Sequence, residues 1–205
     1  MARETKEQTR KRNVEAILKS AEMVFAESGY KGSSMSVIAA KAGVPKSNIA
    51  YYFESKEALY RQVLNTIFLL WLGAGDDIRI GSDPETALTA YIHGKMDLAR
   101  ERPHGSKVWA NEIIHGAPFI QDYLETTLTD WVSQREAVLR HWMEEGLMRP
   151  MDPKTIFYMI WATTQHFADF RHQIETLNNH QPLDDAQWET TKQSVSSTLL
   201  KGLLI

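Results

Sequence analysis

Between residues 36 and 59 the chain carries two short apolar-patterned segments separated by Ala42-Gly43-Val44-Pro45, and this spacing narrows the possible folds more than any other feature. Ile38-Ala39-Ala40-Lys41-Ala42 is barely two helical turns, with Ser34 or Ser36 able to cap its start. Gly43 permits the positive φ of a tight turn, and Pro45 suits the entry of a second short helix, Lys46 to Phe53. Ala39 and Ala40 are small enough for close helix approach, while Val44 and Ile49 supply the apolar anchor. This is the arrangement of a helix-turn-helix, whose second helix enters a DNA major groove.

The surrounding chain is also helical in period. Val14, Ile17, Leu18, Ala21, Val24 and Phe25 recur at three- and four-residue steps, and Gly29 is placed to stop that helix. Ser55 and Glu57 open a longer run through Leu59, Val63, Ile67 and Leu70. Beyond Gly73 and Gly75, Ser82-Asp83-Pro84 and Asp152-Pro153 each set a capping side chain before a proline at the first helical position. Asp184-Asp185 supplies negative charge at another helix start. Without a convincing strand or internal repeat, the reading is all-α, with nine or ten helices. An N-terminal helix-turn-helix domain spans residues 1–62, with a solvated, disordered arm over 1–10, and a larger helical bundle spans 63–205.

Charge divides the same way. Residues 1–62 hold 11 Lys and Arg against 7 Asp and Glu, a net +4, although the whole chain is net −3. A basic first third on an acidic body suits a polyanion at one face and a different task at the other. With 205 residues the chain needs no disulfide staples, and it has no cysteine, which excludes thiolate metal sites and cysteine nucleophiles and fits a reducing cytoplasm. No window approaches a membrane span, and the first residues lack a signal-peptide core, so a cytoplasmic location is expected.

The stretch from Ser36 to Leu59, with its alanine–glycine–valine turn, its Tyr51-Tyr52-Phe53 ending and its Ser55-Lys56-Glu57 helix start, resembles the TetR family of bacterial repressors. The resemblance implies base-edge or backbone contacts from Lys46, Ser47 and Asn48, and phosphate contacts from Tyr51, Tyr52 and Lys56. Arg10, Lys11 and Arg12 are candidates for further contacts with the groove or backbone. Pro45 departs from the serine or threonine common in the family and removes one hydroxyl.

In the body, Ile156, Ile160, Thr163, Phe167, Phe170, Ile174 and Leu177 form a seam with a 3.5-residue period, and Tyr158, Trp161, Gln165, Asp169 and His172 lie opposite it. Trp188, Thr191, Val195, Leu199 and Leu203 stripe the final helix. These last two helices are expected to pair with a second copy in a four-helix homodimer interface, as a palindromic operator requires. Met159 to Phe170, Leu70-Trp71-Leu72, the Lys95 helix and Glu112 to Pro118 resemble the pyrimidine-utilisation subfamily, which senses uracil and thymine.

That resemblance implies a small-molecule site at Trp71, Trp161 and Gln165, with indoles stacking on a flat imide and an amide reading its edge. Lys95 and Glu112 are buried-charge candidates, expected to pair with each other or to meet the ligand. Trp109, Asn111 and His115 depart from the subfamily and could reshape specificity.

The chain is thus expected to be a ligand-responsive repressor that needs no cofactor or metal and is released from double-stranded operator DNA by a planar pyrimidine. The alternatives are another small-molecule effector, or a helical protein-binding adaptor without an operator. Seven histidines invite catalysis, but no metalloprotease, phosphate-loop or serine-elbow motif appears, so an enzyme is not expected.

Overall fold

The computed structural model describes residues 5–205. It is 78% helical, and no strand occurs among the described residues. The helices are α1 (Lys6–Gly32), α2 (Met35–Ala42), α3 (Lys46–Tyr52), α4 (Lys56–Gly73), α5 (Pro84–Glu101) and α6 (Pro103–Ile114). A short α7 (Gln121–Tyr123) passes through a π-helical turn (Leu124–Leu128) into α8 (Thr129–Glu144), followed by α9 (Pro153–Asp169), α10 (Arg171–Leu177) and α11 (Asp185–Leu203).

Two compact units result: Met1–Phe68 with Lys107–Gln121, and Leu69–Ser106 with Asp122–Ile205. The division differs from a single cut after residue 62, because α4 and α6 each run from one unit into the other. Position along a chain cannot reveal this, since a helix that leaves a bundle and one that returns to it have the same local period.

The first unit packs Ile17, Ala21 and Phe25 of α1, Ile38 of α2, Ile49 of α3 and Leu59, Val63 and Leu64 of α4 into a closed core. Its turns follow the residue chemistry. Of the two candidate caps it is Ser34 whose side chain accepts from Val37 N, at 3.3 Å, and Gly43 ends α2 at φ 66°, ψ 28°. Pro45 precedes α3 without a side-chain cap bond, and Asn48 N donates to Pro45 O at 2.9 Å. Gly29, at φ 67°, breaks α1 three residues before its end.

The expected disordered arm is different in the described part. Thr5 and Gln8 form a reciprocal capping box, so α1 already begins at Lys6; residues 1–4 lie outside the described residues. Arg10, Lys11 and Arg12 are exposed on this helix.

The second unit packs α5 against α9 and α11, with Leu88, Ile92, Met96, Leu139, Trp142, Ile156, Phe157 and Ile160 all but fully buried. Asp83, Asp152 and Asp184 each accept from a first-turn amide. The 3.5-residue seam is corrected here. The buried row of α9 runs Ile156, Ile160, Thr164 and Ala168, and the Thr164 hydroxyl donates to Ile160 O at 2.7 Å. The helix then breaks at Phe170, leaving Phe170 and Leu177 55% and 82% exposed. A straight helix buries an i+4 row against its neighbours, whereas the 3.5 seam suits a supercoiled pair.

Candidate functional site

Two sets of residues bear on function, one in each unit. On α3, Lys46 and Ser47 are exposed, Asn48 is half-buried and Tyr51 is 79% exposed. The Tyr51 and Tyr52 rings meet edge to face at 5.0 Å, which holds both phenols at the end of the helix while Ile49 anchors it below. The Lys46 ammonium, the Asn48 amide and the serine and tyrosine hydroxyls therefore share one short helix, a surface suited to base edges and phosphates. Lys56 is more constrained than its sequence suggests. Its ammonium donates to Tyr30 O (2.8 Å) and Ser33 O (3.1 Å) and lies 4.3 Å from the Tyr30 ring centroid. Lys56 thus ties the end of α1 to the start of α4.

The second unit holds Trp71, Lys95, Trp161 and Gln165, and joins the first two directly. Lys95, on α5, is 3% exposed, and its Nζ sits 4.3 Å from the Trp71 ring centroid. Burial pulls its pKa down to about 7, opposed by the charge of Asp169. Asp169 is itself raised by burial, against the hydrogen bond from Ser106 Oγ at 2.6 Å and the Lys95 charge. On α9, one turn apart, Trp161 and Gln165 are both half-buried. The Trp161 indole N–H donates to Tyr91 OH at 2.7 Å, and its ring stacks on Phe157 at 6.0 Å. Tyr91 lies one turn before Lys95 on α5, so α5 fixes the indole and supplies the ammonium together.

Sequence reasoning missed Tyr91 and Ser106; it placed Asp169 on the face of Trp161 and Gln165 but outside the ligand set. The i, i+4 relation of Tyr91 to Lys95 was the available signal, but which partner that face meets depends on how α5 packs against α9.

Glu112 stands apart. It belongs to the first unit, where its Oε1 accepts from Phe119 N at 2.7 Å and its carboxylate takes the Tyr60 hydroxyl. In place of the expected Lys95–Glu112 pairing, Lys95 lies over Trp71 within reach of the Asp169 charge, and Glu112 takes Tyr60 and Phe119. Each buried charge finds its partner within its own unit. Trp109 stacks on Phe68 at 5.3 Å with ring planes 7° apart, a core contact of the first unit. The Asn111 carbonyl accepts from His115 Nδ1 at 2.6 Å. Among the described residues no group of three or more histidines and carboxylates could hold a metal ion, and no helix is long and apolar enough to cross a membrane.

Residues 17–63 match the family model of bacterial regulatory proteins of the tetR family, and residues 64–205 match that of the YcdC-like protein C-terminal region. The chain is 35% identical over 188 residues to the HTH-type transcriptional regulator RutR of Escherichia coli strain K12, covering 92% of this chain and 89% of that one. It belongs to the TetR family. This TetR-family chain is also 33% identical over 214 residues to the HTH-type transcriptional repressor NicS of Pseudomonas putida, covering 96% and 99% of the two. Among solved structures, AibR in complex with isovaleryl coenzyme A and operator DNA superposes at a TM-score of 0.72 with 18% identity, covering 91% of this chain and 97% of that one. KstR2 of Mycobacterium tuberculosis superposes at 0.71 with 20% identity, covering 94% and 95%. At such identities these two likenesses concern the fold alone. The TetR-family chain is a DNA-binding transcriptional regulator, and its matched relatives are named as regulators rather than enzymes.

Proposed function

We propose that the chain acts in the cytoplasm as a homodimeric repressor, released from a palindromic operator when a planar pyrimidine such as uracil or thymine binds against Trp71, Trp161, Gln165 and Lys95. The observation that carries this reading is the second unit's polar and aromatic set. An indole is held in place by Tyr91, a buried ammonium lies over a second indole, and an amide sits one turn further along α9. Indole faces suit a flat ring, while the Gln165 amide and the Lys95 ammonium match imide carbonyls and N–H groups. The similarity to RutR, together with the sequence resemblance to pyrimidine-utilisation repressors, supports the ligand class.

The route to DNA runs along one helix. α4 begins at Lys56, which ties the end of α1, and carries Trp71 in its last turn. A ligand that engages Trp71 more tightly in one tilt of α4 shifts the spacing of two reading heads, and only that difference in affinity drives release. Dimerisation through α9, α10 and α11 fits the exposed Met159, Phe170 and Leu177; the expected stripe of Trp188, Leu199 and Leu203 is buried in the subunit's own core, so α11 would offer the exposed Thr190, Ser194 and Ser197 instead.

A gel mobility shift on DNA upstream of the protein's own gene, with and without uracil and thymine, tests the scheme. The expected result is a shift that either base abolishes. In Gln165→Ala the shift remains and the bases lose their effect. A normal response in that variant removes Gln165 from the site, and a shift indifferent to both bases removes the pyrimidine.

A further inference from the structure

The first unit holds a cavity of about 580 Å³, within the range of small-ligand sites. Its lining includes four rings, Phe25, Tyr30, Tyr60 and Phe119, packed at centroid distances from 4.3 to 6.3 Å. The same lining includes Glu112, a residue only 3% exposed. An ionised carboxylate offers about four lone-pair sites. Phe119 N and the Tyr60 hydroxyl are two donors to it, which leaves acceptor capacity at the cavity wall.

An aromatic wall with a buried negative charge discriminates by charge. Ring faces attract a desolvated cation, and a buried carboxylate gains from a counter-charge far more than from a neutral neighbour. The unit already shows this chemistry with its own ammonium, since Lys56 Nζ lies 4.3 Å from the Tyr30 ring centroid. Lys31 and His115, the other charged or titratable side chains on the lining besides the tyrosines, are both exposed, so solvent screens them.

We propose that this cavity is a binding site for a small organic cation, an ammonium group on an apolar body, with Glu112 as its counter-charge and Tyr30, Tyr60 and Phe119 as its aromatic wall. The site is distinct from that of the pyrimidine, whose residues belong to the other unit. Gly29, where α1 breaks, also lines it, so an occupant touches the joint from which the chain passes through Ser33 and Ser34 into α2.

Calorimetric titration of the full chain with benzylammonium chloride, and separately with neutral benzyl alcohol, reads the discrimination directly. Benzylammonium binds saturably at millimolar concentration, about tenfold or more tighter than the alcohol. Glu112→Gln reduces that affinity about tenfold. Ser28→Trp fills the cavity from its exposed rim while sparing the donors to Glu112, and abolishes binding. Gln165→Ala binds as the parent does. Absence of saturable binding, equal affinity for the alcohol, or undiminished binding in Ser28→Trp each overturns the proposal. Should the circular dichroism melt show that Glu112→Gln does not fold, the alcohol comparison and Ser28→Trp decide alone.

Discussion

Glycine positions in this chain are sensitive for different reasons. Gly43 has φ 66° and open space where a Cβ would stand, so Gly43→Ala meets only conformational strain. Its expected cost is about 1 kcal/mol, read as a lowered urea midpoint with an unchanged slope. At Gly75 the added Cβ would lie 2.5 Å from Trp131 Cζ2, on an indole whose N–H already donates to Leu72 O. Gly75→Ala therefore overpacks the second unit, at about 1–3 kcal/mol in the same measurement.

Lys95 gives a signed pH effect. Its folded pKa of about 7 lies below the ordinary 10.5, so between these values the unfolded chain binds the extra proton. Stability then rises with pH across that window, and the penalty is complete below it. The gain in melting temperature from pH 7 to pH 9 should exceed that of Lys95→Met, which lacks this contribution. A smaller gain in the parent chain would place the ammonium in solvent.

The two helices of the helix-turn-helix are short, and their ends carry much of their definition. α2 has eight residues, capped by Ser34 at one end and Gly43 at the other. Ser34→Ala removes one amide acceptor and is expected to cost about 1 kcal/mol by chemical denaturation. These ends were legible because capping residues act locally, as were Asp83, Asp152 and Asp184. The break at Phe170 was not. Nothing in Ala168-Asp169-Phe170-Arg171 forbids a continued helix, and the seam drawn through Phe170 to Leu177 assumed one. The capping box at Thr5 and Gln8 was legible but overlooked beneath the charge run.

In the proposed scheme the whole molecule places two reading heads on one operator. The exposed small side chains of α11, Thr190, Ser194 and Ser197, allow a second helix to approach closely. Ser194→Arg is expected to give a monomer by sedimentation velocity and to weaken operator binding, while the melting temperature of the subunit holds. An unchanged dimer would move the interface elsewhere. Phosphate contacts make operator affinity steeply salt-dependent, falling about a thousandfold or more between 50 and 200 mM salt. A flat salt response would argue against DNA as the partner.

The sequence by itself determined the helical class, the helix-turn-helix of α2 and α3, and the family to which the chain belongs. All of these rest on local period, caps and contiguous motifs. The tertiary structure alone decided the partners of the buried charges. Lys95 and Glu112 sit 17 positions apart on adjacent helices and look like a natural pair. α6 passes from one unit into the other between them, so Lys95 feels the charge of Asp169 and Glu112 takes Tyr60 and Phe119. A buried charge is settled by whichever counter-group packing brings within reach, and that choice is made by contacts distant in sequence.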